Sequence, residues 1–371
     1  MGRWLPIAVP VIAVIALVLA WGSKPGVGLA IVLAVVLIAT VLVAVHHAEV
    51  VAHKVGEPFG SLILAIAVTI IEVGLIVTLS AGGDEHAATL ARDTVFSAFM
   101  ITTTGLIGLS ILIGAMKFGT VRFNSEGSGA ALATLSTLAV LCLVLPDFTE
   151  TSGPRFSPSQ LAFAAIASLL LYGLFVVTQT ISHRRFFLPV DPDIETGAGP
   201  IAEPVTEDDD EVDEHGEPPT LGATLASLGL LLVSLVAVVG LAKLESPSIE
   251  GGVVALGLPE SVVGVVIALV ILLPESISAV RAAQRNHIQT SLNLGLGSAM
   301  ASIGLTIPAV AVASIWMPGQ LVLGLGDTQI VLLALSIVVS ILTVVPGRAT
   351  KLQGGVHLVI FAAFLFLSVS P

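Results

Sequence analysis

The sequence predicts an all-α polytopic membrane protein, and three observations carry that prediction. Of 371 residues, 55% are hydrophobic and 11% are charged, where a soluble domain carries about 25% charged residues. Mean hydropathy is +1.04. Apolar runs long enough to cross a bilayer recur along the whole chain, without the short alternating strands of a membrane barrel. The 36 Gly and 20 Pro suit close helix packing and interrupted helices in lipid. The single Cys142 lies in an apolar segment, so no intramolecular disulfide forms and no redox chemistry is indicated.

Eleven segments lie near the ~20 residues a spanning helix needs. They are 5–21, 26–45, 59–81, 94–116, 129–146, 159–181, 220–242, 257–280, 289–315, 328–345 and 354–370. The first, within MGRWLPIAVPVIAVIALVLAW, lacks a convincing cleavage site and reads as a helix rather than a signal peptide. The connections set the orientation. The N-terminus and even-numbered loops hold Arg3, Lys54, Lys117, Arg122, Arg184, Arg185, Arg281, Arg285, Arg348 and Lys351, and the odd-numbered loops hold Lys24, Arg92, Arg155 and Lys243. Ten against four puts the N-terminus inside and the C-terminus outside a multi-pass cell (inner or plasma) membrane. The stretch HHAEVVAHK (46–54) then reads as a cytoplasmic loop with histidines that could sense pH. It fails the H-E-x-x-H zinc-protease pattern, because one residue separates His47 from Glu49.

The formal net charge of −12 is local: residues 191–217 hold twelve acids and no Lys or Arg, and the remainder balances. This acidic, Pro-rich segment is expected to be a disordered cytoplasmic linker, with a cation-attracting or regulatory tether as the sharper reading. The glycines show no Walker pattern, no basic patch fits nucleic acid, and no nucleophile–base pair stands out. The chain is therefore expected to be neither an ATP-driven pump nor an enzyme, with no cofactor.

The linker splits the chain into halves that resemble each other. Glu72 in SLILAIAVTIIEVGLIVTLS aligns with Glu275 in VVGVVIALVILLPESISAV, 203 residues on, and Glu57 then falls on Glu260. The next segments align at an offset of 196: Thr94 meets Thr290, Ser97 meets Asn293, Thr102 meets Ser298, and IGLS meets IGLT. The copies start five spans apart, an odd number, so the second enters the membrane inverted, a recurring transporter plan. The expected organisation is an extra helix at 1–22, a five-helix repeat at 23–181, the acidic loop at 182–219 and a second repeat at 220–371. Fifteen helical residues cover ~22 Å, so Glu72 and Glu275 would sit near mid-membrane. Glu57 would face the cytoplasmic mouth and Glu260 the external one.

A carboxylate in hydrocarbon costs ~2.5–3.5 kcal/mol even on permissive scales. It survives by facing a polar cavity, by protonation or by holding a cation. Two facing carboxylates repel, so in an empty site one would favour its protonated form; a divalent cation reverses that preference. Protons and metal thus compete for one pair of acids. Thr102, Ser97, Ser298 and Asn293 could add neutral oxygens, and Pro274 leaves a carbonyl free one turn earlier. Such oxygens suit Ca²⁺, which takes ~6–8 of them. A structural hydrogen bond for each acid, and helix packing for the small polar residues, are the bland alternatives.

These segments (GEPFGSLILAIAVTIIEVGLI, RDTVFSAFMI and LPES…NLGLGSAMASIGLTIP) resemble bacterial calcium/proton antiporters of the calcium/cation antiporter superfamily. The resemblance covers nearly the whole chain. It implies ten core helices in two inverted repeats plus one N-terminal helix, with Glu72 and Glu275 binding Ca²⁺ in alternation with protons. Some relatives move Na⁺ or K⁺ against protons. The sequence departs from the superfamily's G-N-x-x-E pattern: Thr69 and Leu272 stand three residues before the two acids, so the usual Asn ligand is missing from both copies. The expected activity is secondary export of Ca²⁺ against H⁺. A Na⁺(K⁺)/H⁺ antiporter is the alternative, and a membrane sensor or scaffold acting through the acidic loop is the alternative from another class.

Overall fold

Helices form where the apolar runs lie, because backbone polar groups in lipid must be satisfied within the segment itself. The computed structural model describes residues 4–23, 25–56, 59–80, 85–190, 219–259, 261–316 and 321–370. The helices are α1 (Leu5–Ala20), α2 (Val27–Val55), α3 (Phe59–Ser80), α4 (Glu85–Met100), α5 (Ile107–Phe118) and α6 (Ser125–Ala139). They continue with α7 (Pro158–Val177), α8 (Leu221–Ala255), α9 (Ser261–Gln284), α10 (Ile288–Ala313), α11 (Asp327–Val344) and α12 (Lys351–Val369). A π-helical segment, Ile101–Leu106, joins α4 and α5 into one span. Among the described residues ten helical stretches are long and apolar enough to cross a membrane, and α1 is a shorter apolar helix of 16 residues.

Helix ends carry the expected chemistry. Asn124 caps α6 by accepting from the Glu126 and Gly127 amides, and Ser157 with Gln160, and Thr350 with Gln353, form capping boxes. Gly56 ends α2 at φ 75°, a conformation that costs glycine little. That ending corrects the sequence reading of HHAEVVAHK. The stretch is not a loop but the last turns of α2, since nothing in it breaks a helix before Gly56. His47 is buried and donates from Nε2 to the Pro6 carbonyl at 2.9 Å, which fastens α1 to α2.

Contacts between connections sort the loops onto two faces. On the face of the N-terminus, β1 (Val121–Arg122) pairs antiparallel with β2 (Arg348–Ala349), Lys117 Nζ donates to the Gln284 carbonyl, and Asn293 Nδ2 donates to that of Phe187. On the C-terminal face the segment 321–326 bonds to Ala88, Pro154 and Leu143. The even- and odd-numbered connections therefore gather at opposite ends, as eleven alternating spans require.

Packing is reciprocal between the halves. Helix α2 lies along α8, α3 packs on α10, and α9 packs on α4 and α5. Likewise α7 packs on α10, and α12 on α5. The matched IGLS and IGLT motifs explain the last two contacts. A Cβ on Gly108 would stand 2.7 Å from the His357 side chain of α12, and one on Gly304 would stand 2.7 Å from the Tyr172 side chain of α7. Each copy uses one glycine to seat the final helix of a half, the small-residue contact expected where lipid replaces water. The π segment lies beside the first of these seats. A π turn leaves carbonyls without helical partners, and the buried His357 Nδ1 donates to the Thr103 carbonyl at 2.9 Å.

Candidate cation site

Glu72 lies near the middle of α3 and is 2% exposed. Both carboxylate oxygens receive hydroxyl donors from α10: Ser302 Oγ donates to Oε1 at 2.6 Å, and Thr306 Oγ1 to Oε2 at 2.9 Å. Beside it is a cavity of about 10 Å³ lined by Val68, Thr69, Ala98, Ala268, Leu272 and Ser298, among others. That is roughly the space of one water-sized sphere. Ser302 and Thr306 fix the carboxylate's orientation while leaving its remaining lone pairs for this space.

Glu275 holds a comparable mid-helix position on α9. It lines a second cavity of about 240 Å³, which runs from the N-terminal-face ends of α3, α7 and α10, past Gln179 and Thr290, to mid-depth. Val68, Ser298 and Ala301 line both cavities, so the two acids face adjoining spaces. Glu275 is also within Coulombic reach of Glu72 and of Glu49 on α2. Its Oε2 is buried and, among the described residues, has no hydrogen-bond partner. A buried acceptor left unpaired costs about 1–3 kcal/mol; a proton or a cation would relieve that cost.

The other predicted residues divide. Ser298 stands where the two cavities meet. Asn293 lines the larger one, but its amide donates to the Phe187 carbonyl and its Oδ1 accepts from Gln289. Thr102 is not brought to the pair: its hydroxyl donates to the Ala98 carbonyl of its own helix at 2.7 Å, and it lines neither cavity. Ser97 likewise bonds the Asp93 carbonyl and faces a different cavity, at the C-terminal face. The physical reason is common to both: a threonine or serine in an apolar helix satisfies its proton on the carbonyl four residues back. Glu57 and Glu260 lie outside the described residues.

The sequence reading missed Ser302, Thr306 and Glu49. A signal existed for the first two, because Ser298, Ser302 and Thr306 recur every four residues on one face of α10. Glu49 was hidden by the assignment of its segment to a loop. The halves are also chemically unequal. In the repeat register Ser110 stands where Thr306 does, but Ser110 accepts from Ser291 at 2.6 Å and leaves Glu275 unserved. Ser302→Ala and Thr306→Val should each weaken apparent cation affinity about 10-fold, since a hydrogen bond to a charged group is worth about 1.5–3 kcal/mol. Transport titrations at several pH values will read this, with a smaller loss at higher pH, where protons compete less.

Two acids on repeat-related helices, lining adjoining cavities, are the arrangement expected of a membrane transporter of cations. Comparison with known proteins then specifies which. Residues 25–181 and 226–370 match the sodium/calcium exchanger protein family, and the chain belongs to it, within the calcium/cation antiporter superfamily. It is 45% identical over 332 residues to the putative ionic transporter y4hA of Sinorhizobium fredii (strain NBRC 101917 / NGR234), covering 89% of this chain and 86% of that one. It is 36% identical over 362 residues to the sodium-potassium/proton antiporter ChaA of Escherichia coli (strain K12), covering 96% and 93%. In fold it is similar to the crystal structure of the H+/Ca2+ exchanger CAX, with a TM-score of 0.69, 15% identity, and coverage of 97% and 86%.

Proposed function

We propose that this protein is a secondary antiporter that exchanges Ca²⁺ for protons at Glu72 and Glu275, driven by the proton gradient. The observation that carries the reading is the buried Glu275 Oε2, without a partner among the described residues, on a cavity adjoining the one at the two-hydroxyl cradle of Glu72. Two carboxylates match a divalent cation in charge, and Ser298, Ser302 and Thr69 offer further oxygens next to them. Protonating the pair cancels that charge and releases the cation, so proton uptake and cation release are two halves of one competition. Access through the larger cavity is from the N-terminal face. The excess of Lys and Arg on that face supports a cytoplasmic assignment, and on this reading the larger cavity is the inward-facing one of an exporter.

A Na⁺(K⁺)/H⁺ exchange reading has its own support. Leu272 offers no oxygen where the superfamily's second Asn would stand, and the 36%-identical relative is a sodium-potassium/proton antiporter. Reconstituted vesicles with an internal pH dye separate the two. Ca²⁺ added against an imposed pH gradient should collapse it at concentrations where Na⁺ and K⁺ do not. Collapse by Na⁺ or K⁺ alone would replace the calcium reading with the monovalent one. If no cation moves protons, yet deleting 191–217 abolishes the cellular phenotype, the sensor or scaffold reading stands instead. The antiport reading expects this deletion to leave the exchange rate within about twofold, because the site lies wholly within helices remote in sequence from that segment.

A further inference from the structure

At the C-terminal face a cavity of about 260 Å³ opens between α4, α9, α11 and α12; Arg92, Asp93, Ser97, Ser261, Gln329 and Ser368 are among its lining residues. In the repeat register it is the counterpart of the cavity that reaches Glu275, with α4 in place of α10, α9 in place of α3 and α12 in place of α7. The two differ in reach. The N-terminal-face cavity shares lining residues with the space beside Glu72, whereas the C-terminal-face cavity shares none with it among the described residues. It stops at Val265, while Ala268, one turn deeper on α9, already lines the Glu72 cavity.

The barrier between them is the α4–α9 seam. A Cβ on Gly264 would stand 2.8 Å from the Asp93 carbonyl carbon and 2.9 Å from the Thr94 nitrogen, so backbone meets backbone there. Asp93, at the tightest point, is 4% exposed. Arg92 Nε and Nη2 each lie 2.8 Å from Asp93 Oδ1, and Nη1 donates to the Gly324 carbonyl at 3.2 Å. One guanidinium thus ties the middle of α4 to the 321–326 segment, itself bonded to Ala88, Pro154 and Leu143. The repeat-related positions at the other mouth carry no ion pair of their own. Ile288 and Gln289 hold the matching positions, and Gln289 spends its amide on Ser128, Asn293 and the Asn124 amide nitrogen.

We propose that the Arg92–Asp93 pair, with its tie to Gly324, is the latch of the second mouth of the cation pathway, and that it must release before the α4–α9 seam can part and expose Glu72 to the C-terminal face. The pair acts by position, not as a ligand of the central site. The repeat-related positions are unequal: Ile288 and Gln289 stand at one mouth, and at the other the Arg92 guanidinium balances the charge of the buried Asp93 while the seam is shut.

Thiol accessibility tests this in full-length protein oriented in liposomes, with native Cys142 retained because it is fully buried. Ala268→Cys reports the space beyond the seam, and Ala65→Cys reports the N-terminal-face cavity. An impermeant methanethiosulfonate added at the C-terminal face should label Ala268→Cys slowly in the parent and at least about 5-fold faster with Arg92→Gln or Asp93→Asn. Arg92→Lys, which cannot span both Asp93 and Gly324, should fall between. Labelling of Ala65→Cys from the N-terminal face should stay unchanged or slow. Parental rates at Ala268→Cys in well-folded variants overturn the latch, as does acceleration at both probes, which marks a general brace. Where Arg92→Gln does not fold, a parental rate in Arg92→Lys has the same force. The proposal rests on the transport reading, but its readout needs no flux: a parent that moves no ion refutes that reading while leaving the accessibility result to stand alone.

Discussion

Glu275→Gln is expected to abolish proton-coupled cation exchange while leaving the protein as stable as its parent. The change keeps the side chain's shape and removes its charge and its proton. Glu275 Oε2 has no hydrogen-bond partner among the described residues to lose, so folding should be insensitive within about 0.5 kcal/mol, the range of substitutions that break no packed or bonded feature. Transport should fall at least about 100-fold, the upper end for losing one charge-assisted contact at about 1.5–3 kcal/mol, because the proton carrier is lost as well. Glu72→Gln should be equally inactive but measurably less stable, by about 1 kcal/mol. Its amide can accept from only one of Ser302 and Thr306, leaving the other hydroxyl facing an NH₂ group. Exchange in vesicles and thermal unfolding in detergent check both arms. Sustained exchange by either variant removes that acid from the mechanism.

Gly354→Leu should disrupt assembly of the second half. A Cβ on Gly354 would stand 2.7 Å from the Leu112 nitrogen, 2.9 Å from its Cα and 3.0 Å from the Gly108 carbonyl oxygen. Every one of those atoms is backbone, so no rotamer can move aside, and α12 must separate from α5. Overpacking typically costs about 1–3 kcal/mol and occasionally more; with backbone on both sides the upper end, about 3 kcal/mol, is expected. Separation would also pull His357 from the Thr103 carbonyl and undo the π segment between α4 and α5. Gly229→Leu is the matched control, because nothing lies within 4 Å of a Cβ there. Thermal stability in detergent should drop sharply for the first variant and stay put for the second; equal stabilities would refute the contact.

Much of the architecture was readable from residues alone. The predicted segments fall on the observed helices, and most ends agree within a few residues, because an apolar run in lipid has no alternative to helix. The exceptions are informative. Helix α2 runs ten residues past its apolar stretch, α8 thirteen past its own, and α4 begins nine residues before its predicted start. The α2 and α8 extensions carry polar residues that had been read as connections; that of α8 contains Pro247, Gly251 and Gly252, which disfavour helix, and its Ile249 and Val253 pack into the core. The π segment left no mark in the pattern, since its residues ITTTGL are as apolar and small as their neighbours. At the site, the two acids were legible because a carboxylate in hydrocarbon is expensive and so conspicuous. Their partners were less so. Serine and threonine are common in membrane helices, and whether a hydroxyl turns to its own backbone, as in Thr102, or across to a carboxylate, as in Ser302, depends on which helix stands opposite.

By itself the sequence determined the number of apolar rods, their alternating direction, the duplication and the mid-helix positions of Glu72 and Glu275, because hydrophobic length and the price of burying charge are properties of each segment alone. Only the tertiary structure decided that Ser302 and Thr306 hold Glu72 while Glu275 Oε2 has no partner among the described residues, that one mouth reaches the acids, and that Asp93 sits beneath a guanidinium at the other. Those outcomes depend on the rotation and closeness of neighbouring helices, which small residues such as Gly264 and Gly108 permit but do not encode one contact at a time.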